Sequence, residues 1–295
     1  MKTKKERFDF ICSIGSSCMC ATALRDAGLR LSSGPFDWLL GPSLKSRAEM
    51  IANGFAGWFE REDLRCIGKT DIVNAKSVKI QRDGYVNDRT GYTFLHDFDA
   101  GSPFDEAYPA VREKYERRIE RFYNLMRASR RVLLVWVENQ YEDDRPSDEE
   151  VAMSLKMLKD AFPGVKVELL IIDRAPDGMT GGELVRRNGY WRVECAYRRK
   201  ATKPNGSGRS WDFDIGQMQV PLSSFEARDY RSSMERRGHD LASRRAKYAL
   251  FGARGPIGYA LSRLQVKTCK LLLNRLWRKG VDMRWVFDAQ IRVWK

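Results

Sequence analysis

The chain has 295 residues, of which 43% are hydrophobic, and this composition excludes global disorder and allows one large folded domain or two small ones. No apolar run approaches the roughly 20 residues that span a bilayer, and the N-terminal MKTKKER leads into a strand-like segment without a cleavage pattern. The sequence therefore predicts a cytoplasmic protein. Its six cysteines have no repeated spacing, which predicts reduced thiols rather than a disulfide framework or a zinc site.

The net charge of +14 is unevenly distributed along the chain. Residues 242–295 hold thirteen Lys and Arg against Asp282 and Asp288, which gives +11 and leaves about +3 for residues 1–241. The sequence therefore predicts two parts, an α/β domain over residues 1–241 and a basic tail over residues 242–295.

The first predicted elements are a short strand over residues 8–14 and a helix over residues 16–28, which ends at Gly28. Cys18 lies in the first turn of this helix. Unpaired backbone N–H groups and the positive end of the helix dipole favour a thiolate there, and the thiolate is the form that attacks carbon.

The same turn is suited to an anion, so Gly15, Ser16 and Ser17 are predicted to bind an anion or an oxyanion. The alternative is that Cys18 is a small buried thiol, together with Cys12 and Cys20, since free cysteine is often buried.

The segment Pro35, Phe36, Asp37 and Trp38 predicts a rigid apolar wedge that carries one carboxylate. A buried Asp37 must find donors, either backbone N–H groups of the Cys18 turn or a histidine. The alternative is a structural loop in which two aromatic side chains are buried and the aspartate caps the backbone.

Further along the chain, helices and strands alternate. The helical stripe begins at Tyr108 and ends at Met126, and strands are predicted over residues 131–137 and 165–172. A capping box at Ser147 opens the helix between those strands. A strand, a helix and a strand with short connections predict a right-handed crossover, so we expect an α/β fold with a mostly parallel sheet flanked by helices, three-layered and Rossmann-like.

Polar side chains directly follow the predicted strands. Open parallel sheets bind ligands beyond the carboxyl ends of their strands, so Glu138 and Asp173, together with Trp38, are candidates to line a cleft. The alternative is that the two carboxylates only cap loops, and their convergence would decide between these readings.

The sequence contains only two histidines, His96 and His239. A cysteine nucleophile usually needs a neighbouring base, and imidazole is the side chain best suited near neutral pH. His96 lies at the end of a strand-like stretch, which favours it over His239 as the partner of Cys18. The alternative is a structural histidine.

Five blocks of sequence, in this order, resemble domain-of-unknown-function family 1796, a family of papain-like cysteine peptidases. The blocks are residues 13–18 (SIGSSC), 24–30 (LRDAGLR), 34–38 (GPFDW), 94–98 (FLHDF) and 114–119 (KYERRI). The resemblance covers roughly residues 8–175.

This resemblance implies Cys18 as the nucleophile and His96 as the base. The third catalytic residue would be an acidic side chain that orients the histidine. Asp37 and Asp97 both fall in matching blocks and are candidates for it, and Glu138 is an alternative from the strand pattern. It also implies a papain-like α+β fold as the alternative to the parallel sheet. Domains of this kind often accompany glycosyltransferases and surface-polysaccharide genes.

The basic tail has the pattern of an amphipathic helix over residues 257–279, with leucines on one face. The opposite face and its boundary carry Arg263, Lys267, Lys270, Arg278 and Trp277. This pattern predicts a peripheral contact with an anionic membrane surface, on its inner face, in preference to nucleic acid. The alternative is a solvated helix that packs on its own domain.

Two functions follow. The first is a cysteine-dependent hydrolase or transferase that acts on a peptide, a glycan or another small acyl substrate, without cofactor or metal, in a surface-polysaccharide pathway. The second is a non-catalytic module that binds a glycan or sugar nucleotide in association with glycosyltransferases, with Cys18 merely buried.

Overall fold

The computed structural model describes residues 5–73, 79–138, 145–176, 179, 181–199, 211–213 and 215–230. The strands are β1 (Glu6–Phe8), β2 (Phe10–Ser13), β3 (Leu39–Leu40), β4 (Leu64–Val73), β5 (Lys79–Asn87), β6 (Thr93–Asp99), β7 (Arg131–Val137), β8 (Lys166–Arg174), β9 (Val185–Arg186), β10 (Tyr190–Cys195), β11 (Tyr197–Arg199), β12 (Trp211–Phe213) and β13 (Phe225–Ala227). The helices are α1 (Cys18–Asp26), α2 (Leu44–Ala52), α3 (Phe104–Ala128), α4 (Asp148–Ala161) and α5 (Ile215–Leu222), with one 3₁₀ turn at Arg61–Asp63.

The central sheet has five strands in the order β2, β7, β8, β10 and β9. The first four are parallel, and β9 joins the edge antiparallel to β10. Every residue of β7 after Arg131 is buried, which explains its continuous apolar sequence. The predicted strands over residues 131–137 and 165–172 are confirmed, and so is the parallel crossover between them.

Helices pack against both faces of this sheet. On one face, Cys20 and Leu24 of α1 join Met218 and Leu222 of α5 in a buried cluster. Leu133 and other strand residues on that face of the sheet complete this cluster. On the other face lies a larger cluster with contributions from α2, α3 and α4, namely Ala48, Ile51, Phe122, Met126, Leu155 and Leu158 against Leu134 and Trp136. The apolar stripe of each helix is thus what fixes it to the sheet.

A second, antiparallel sheet has the strand order β3, β6, β5 and β4. An aromatic cluster links it to α3, with Trp58 and Tyr115 ring centroids 4.9 Å apart and Phe59 and Phe94 also 4.9 Å apart. Two further sheets have two strands each, β1 with β13 in parallel and β11 with β12 antiparallel.

These sheets confirm the α/β class and correct its details. A single mostly parallel sheet is wrong for the chain as a whole, because the sheets are mixed or antiparallel, and a Rossmann-like architecture is not confirmed. The antiparallel sheet follows α1 in sequence. In the part of the chain that the structure describes, no helix is long and apolar enough to cross a membrane. The boundary expected at residues 241 and 242 lies outside the described residues.

Candidate functional site

Cys18 lies in the first turn of a helix, as predicted, although α1 spans Cys18–Asp26 and not residues 16–28. Ser17 precedes it in extended conformation and caps the helix, because its Oγ accepts a hydrogen bond from the backbone N–H of Met19 at 3.4 Å. The strand β2 ends five residues earlier, at Ser13, so α1 begins at the edge of the sheet where the parallel strands end. This is the edge at which open α/β sheets bind ligands.

The three neighbouring thiols differ in exposure. Cys12 and Cys20 are buried, and Cys20 Sγ donates to the carbonyl of Val135 at 3.2 Å, whereas Cys18 is half-buried. Burial raises the pKa of the Cys18 thiol above its ordinary value of 9.0, and its own backbone N–H acts weakly in the opposite direction. The thiol of the resting structure is therefore neutral at pH 7, and the expected thiolate needs a base to form.

The turn before Cys18 is tightly packed. A Cβ on Gly15 would lie 2.5 Å from Cys20 Cβ and 3.1 Å from the backbone N of Val137, so only glycine fits. Ser16 Oγ donates to the carbonyl of Val137 at 3.2 Å. Ser16 and Ser17 are 0% and 1% exposed, and within the described ranges their backbone N–H groups have no hydrogen-bond acceptor.

His96 lies in the middle of β6 rather than at the end of a strand. In the pairing of β5 with β6, Tyr85 lies opposite Phe94 and Asp83 lies opposite Phe98. Gly84 of β5 is therefore opposite three residues of β6, and His96 is the central one of the three. Such a bulge turns side chains away from the regular alternation and is frequent beside active sites. The imidazole is half-buried, with its centroid 5.7 Å from that of the Trp38 ring. Burial lowers its pKa below the ordinary 6.5.

Among the residues that the structure describes, no hydrogen bond or ion pair joins Cys18 to His96. The structure therefore places the two residues on different elements, α1 and β6, and their pairing stays a prediction. His239 lies outside the described residues.

Asp97 is bound on the α3 side of β6. Its side chain is 3% exposed, accepts a hydrogen bond from the Tyr115 hydroxyl at 2.8 Å and forms an ion pair with Lys114. No described hydrogen bond connects it to His96. Its contacts are those of a carboxylate that fastens α3 to the antiparallel sheet.

Asp37 is 1% exposed, and its Oδ2 is bound by the Arg30 guanidinium and by the backbone N–H of Gly34 at 2.9 Å. Burial raises the pKa of this carboxyl, and Arg30 opposes that shift. Asp37 thus finds its donors within its own loop rather than at the Cys18 turn, as in the structural alternative for this wedge. Phe36 is buried and Trp38 is half-buried beside it.

Glu138 and Asp173 lie at the carboxyl ends of the neighbouring strands β7 and β8, and each binds its own partners. Glu138 is 1% exposed, and its Oε2 accepts from the backbone N–H of Arg174 at 2.7 Å, while its own N–H donates to Ile172. Asp173 is fully buried and bound by Arg192 Nε at 2.5 Å. Both carboxylates therefore have arginine partners at the edge where α1 begins.

Sequence reasoning missed several arginines of this region. A cleft of about 320 Å³ is lined by Arg145, Arg187 and Arg192 together with residues 146–148 at the start of α4. Arg192 lies on β10, a strand that was not predicted, and Arg30 was noticed only as the end of a matching block. Neither has a local sequence signal, since each is defined by a partner that folding brings to it.

Within the described residues, no group of three His, Cys, Asp or Glu side chains could hold a metal ion. The tail residues Arg263, Lys267, Lys270, Trp277 and Arg278 lie outside the described residues.

This geometry defines the class of the protein. It is an α/β protein with a cysteine at the start of a helix, where the parallel strands have their carboxyl ends. The family model described as "Putative papain-like cysteine peptidase", domain-of-unknown-function family 1796, matches residues 9–173, which is more than half of the chain. The chain belongs to this family. The family description indicates a cysteine hydrolase.

A protein of Acanthamoeba polyphaga mimivirus, named only as an uncharacterized protein, is 27% identical over 158 residues, which cover 50% of this chain and 68% of that protein. No solved structure matches the chain significantly.

Proposed function

We propose that this chain is a cysteine-dependent hydrolase or transferase in which Cys18 is the nucleophile. The observation that carries the proposal is the position of Cys18 as the first residue of α1, beside the carboxyl ends of the parallel strands and less buried than Cys12 or Cys20. Membership of the family supports the same chemistry.

In the proposed reaction, His96 removes the proton from the Cys18 thiol and the sulfur bonds to the acyl carbon of the substrate. The leaving group takes that proton from the imidazolium, and water, or another acceptor in a transferase, then breaks the thioester. Asp37 and Asp97 are the two carboxylates proposed from the matching blocks to orient the imidazole, and orientation by either of them requires a hydrogen bond to His96 that the described contacts do not include. The two buried N–H groups of Ser16 and Ser17, which lack acceptors among the described residues, are suited to the developing oxyanion.

Alkylation of the thiols tests this proposal. Iodoacetamide labelling, read by tandem mass spectrometry within the tryptic peptide of residues 8–25, compares Cys18 with Cys12 and Cys20 on one fragment, and the exposed Cys66 serves as reference. We expect Cys18 to react at least about tenfold faster than its two neighbours at pH 7, and His96→Ala to slow it by about tenfold or more, since a general base contributes roughly 10²–10⁴.

The pH dependence of the Cys18 labelling rate distinguishes a reaction with His96 as base from one without it. With His96 as base, the Cys18 rate should reach a plateau above the lowered pKa of His96 and fall as the imidazole is protonated in acid. Without that base, the rate should rise continuously with pH toward a thiol pKa above 9.0, and His96→Ala should change nothing. The second profile would contradict the proposal.

The second candidate is a non-catalytic module that binds a glycan or sugar nucleotide. The raised pKa of Cys18 and the lack of a described contact with His96 favour it, and the arginine-lined cleft beside α4 offers a place for a polar ligand. Binding of a sugar nucleotide that is weakened by Arg145→Gln, together with labelling indifferent to His96, would support this function over the first.

We further propose a cytoplasmic location, peripheral to the membrane through the basic tail, and a role in a surface-polysaccharide pathway with a peptide, glycan or acyl substrate. The +11 charge of residues 242–295 supports an anionic partner, and the tryptophans favour a membrane surface over nucleic acid.

A further inference from the structure

Arg30 connects three side chains of the loop that follows α1, those of Ser33, Asp37 and Trp38. Its Nε donates to Asp37 Oδ2 at 2.7 Å and its Nη2 donates to Ser33 Oγ at 2.8 Å. The guanidinium carbon lies 5.7 Å from the centroid of the Trp38 ring. The Arg30 side chain is only 13% exposed, so this guanidinium is a fixed part of the structure and not a surface charge.

The chemistry of these contacts requires a guanidinium. One guanidinium binds two polar side chains through separate nitrogens while its charge lies over an aromatic ring, and an ammonium has no such fork of donors. Arg30 therefore closes the loop from Ser33 to Asp37 and restrains Trp38 at the same time. Arg121 of α3 adds a hydrogen bond to the carbonyl of Ser33 at 2.9 Å, which anchors the beginning of the same loop.

Trp38 transmits this restraint to the antiparallel sheet. Its ring meets the His96 imidazole with centroids 5.7 Å apart and planes inclined by 57°. His96 lies in the bulge of β6, where the regular strand does not determine the direction of its side chain. The charged groups that influence it are Asp97 on its own strand, Arg82 on β5 and Lys114 on α3.

We propose that Arg30 is a positioning residue for His96, because it holds Trp38 against the imidazole and thereby fixes the place of the ring in the bulge. The inference rests on the proposed function only in so far as His96 is the base. The restraint itself is a physical contact that can be measured without any reaction.

Proton NMR of the imidazole tests the proposal directly, because the chain has only two histidines. In a His239→Gln background, one Cε1–H signal remains. We expect it to be displaced by the ring current of Trp38 and to titrate below pH 6.5, in line with the half-buried ring. Arg30→Gln should remove most of the displacement and raise the midpoint by roughly half a pH unit or more, which is about a threefold change in proton affinity. Arg30→Lys should restore little.

Arg25→Gln is the matched control, since Arg25 lies at the end of α1, is exposed and pairs only with its neighbour Asp26 in the described structure. It should leave the His96 signal unchanged. If Arg30→Gln does not fold, the double variant Arg30→Gln with Asp37→Asn, which leaves no single buried charge, takes its place and should release the His96 signal. Trp38→Leu, which keeps the Arg30–Asp37 pair, gives the reference shift of His96 without the ring current of Trp38.

The proposal is overturned if the folded Arg30 variant leaves the shift and the midpoint of His96 as in the parent. This outcome is separate from the failure of the proposed function. If Arg30→Gln moves the His96 signal while Cys18 labelling is indifferent to His96, the positioning role stands and the cysteine chemistry does not.

Discussion

At the scale of single residues, the turn from Gly15 to Cys18 shows how closely α1 approaches the sheet. Gly15, in the turn before α1, lies against Cys20 of that helix and against the backbone of Val137, the last residue of β7. Its φ is not in the left-handed region, so the demand for glycine here comes from the close approach and not from backbone conformation.

Gly15→Ala should therefore destabilise the protein. The added methyl would lie 2.5 Å from Cys20 Cβ and 3.1 Å from a backbone nitrogen, and neither neighbour is the flexible end of a side chain. We expect a loss of about 1–3 kcal/mol in the free energy of unfolding, the range for overpacking, as measured by urea denaturation.

Gly182→Ala is the control for that measurement. Its added methyl would meet its nearest neighbour, Glu194 Cβ, at 3.8 Å, which is an ordinary contact, so stability should change little. Equal midpoints for the two variants would show that the Cys18 turn yields to a methyl group, and that its packing does not fix the position of the thiol.

The residue scale also separates what sequence could predict from what it could not. The position of Cys18 at a helix start was predictable, because a glycine and two serines ahead of an apolar run are a local signal for a helix N-cap. The partners of Asp37 and Asp97 were not predictable in the same way. Tyr115 and Lys114 reach Asp97 from α3 only because the aromatic cluster brings that helix onto β6.

At the scale of elements, the N-terminus of α4 forms only one of the two hydrogen bonds of the predicted capping box. Ser147 Oγ accepts from the backbone N–H of Glu150 at 3.1 Å, as a capping box requires. The Glu150 carboxylate does not return to Ser147, however, and accepts from the backbone N–H of Lys45 in α2 at 3.1 Å. One acidic side chain therefore links the starts of two helices.

Ser147→Ala should cost about 1 kcal/mol in the free energy of unfolding, because the N–H of Glu150 loses its acceptor. Thermal unfolding followed by circular dichroism measures this loss. Ser102→Ala, at an exposed turn where the described structure gives the hydroxyl no hydrogen bond, should be close to neutral. A Ser147 variant as stable as the Ser102 variant would contradict the capping role.

The elements that sequence predicted well are those with a strong apolar pattern. β7 has the predicted bounds, and β8 and α3 differ from prediction only at their ends, since their burial is continuous or strictly periodic. β4 was missed because residues 65–69 are all exposed, so neither face of the strand carries an apolar stripe. Pairing with β5, rather than burial, defines that strand.

At the scale of the whole molecule, the parallel sheet and the antiparallel sheet contribute different parts of the candidate site. The parallel sheet places Cys18, Glu138 and Asp173 along one edge, and the antiparallel sheet carries His96 and Asp97. The loop from Ser33 to Trp38 lies between α1 and the antiparallel sheet in sequence and touches His96. This is why a sequence prediction of one parallel sheet could propose candidate site residues and still not determine their contacts.

The charge asymmetry of the chain belongs to the same scale and gives the last prediction. Residues 242–295 carry +11 while the remainder carries about +3, so an anionic surface should attract the protein through the tail. We expect the full-length protein to co-sediment with vesicles that contain anionic lipid and not with neutral vesicles. Each basic residue near such a surface contributes about 1 kcal/mol, so Lys267→Glu with Lys270→Glu should weaken binding by well over tenfold.

Salt and a matched variant make that experiment decisive. Binding should weaken as the salt concentration rises, because screening acts on exposed charges. The single variant Lys267→Glu is compared with Lys156→Glu, which makes the same change of charge outside the tail and should have a much smaller effect; Lys156 lies on the exposed side of α4 and pairs only with Asp160 in the described structure. Because phosphates of nucleic acid attract the same basic residues, the protein must also be offered duplex DNA. Salt-sensitive binding to DNA without binding to anionic vesicles would show that the tail recognises a phosphate backbone, and the membrane proposal would be wrong.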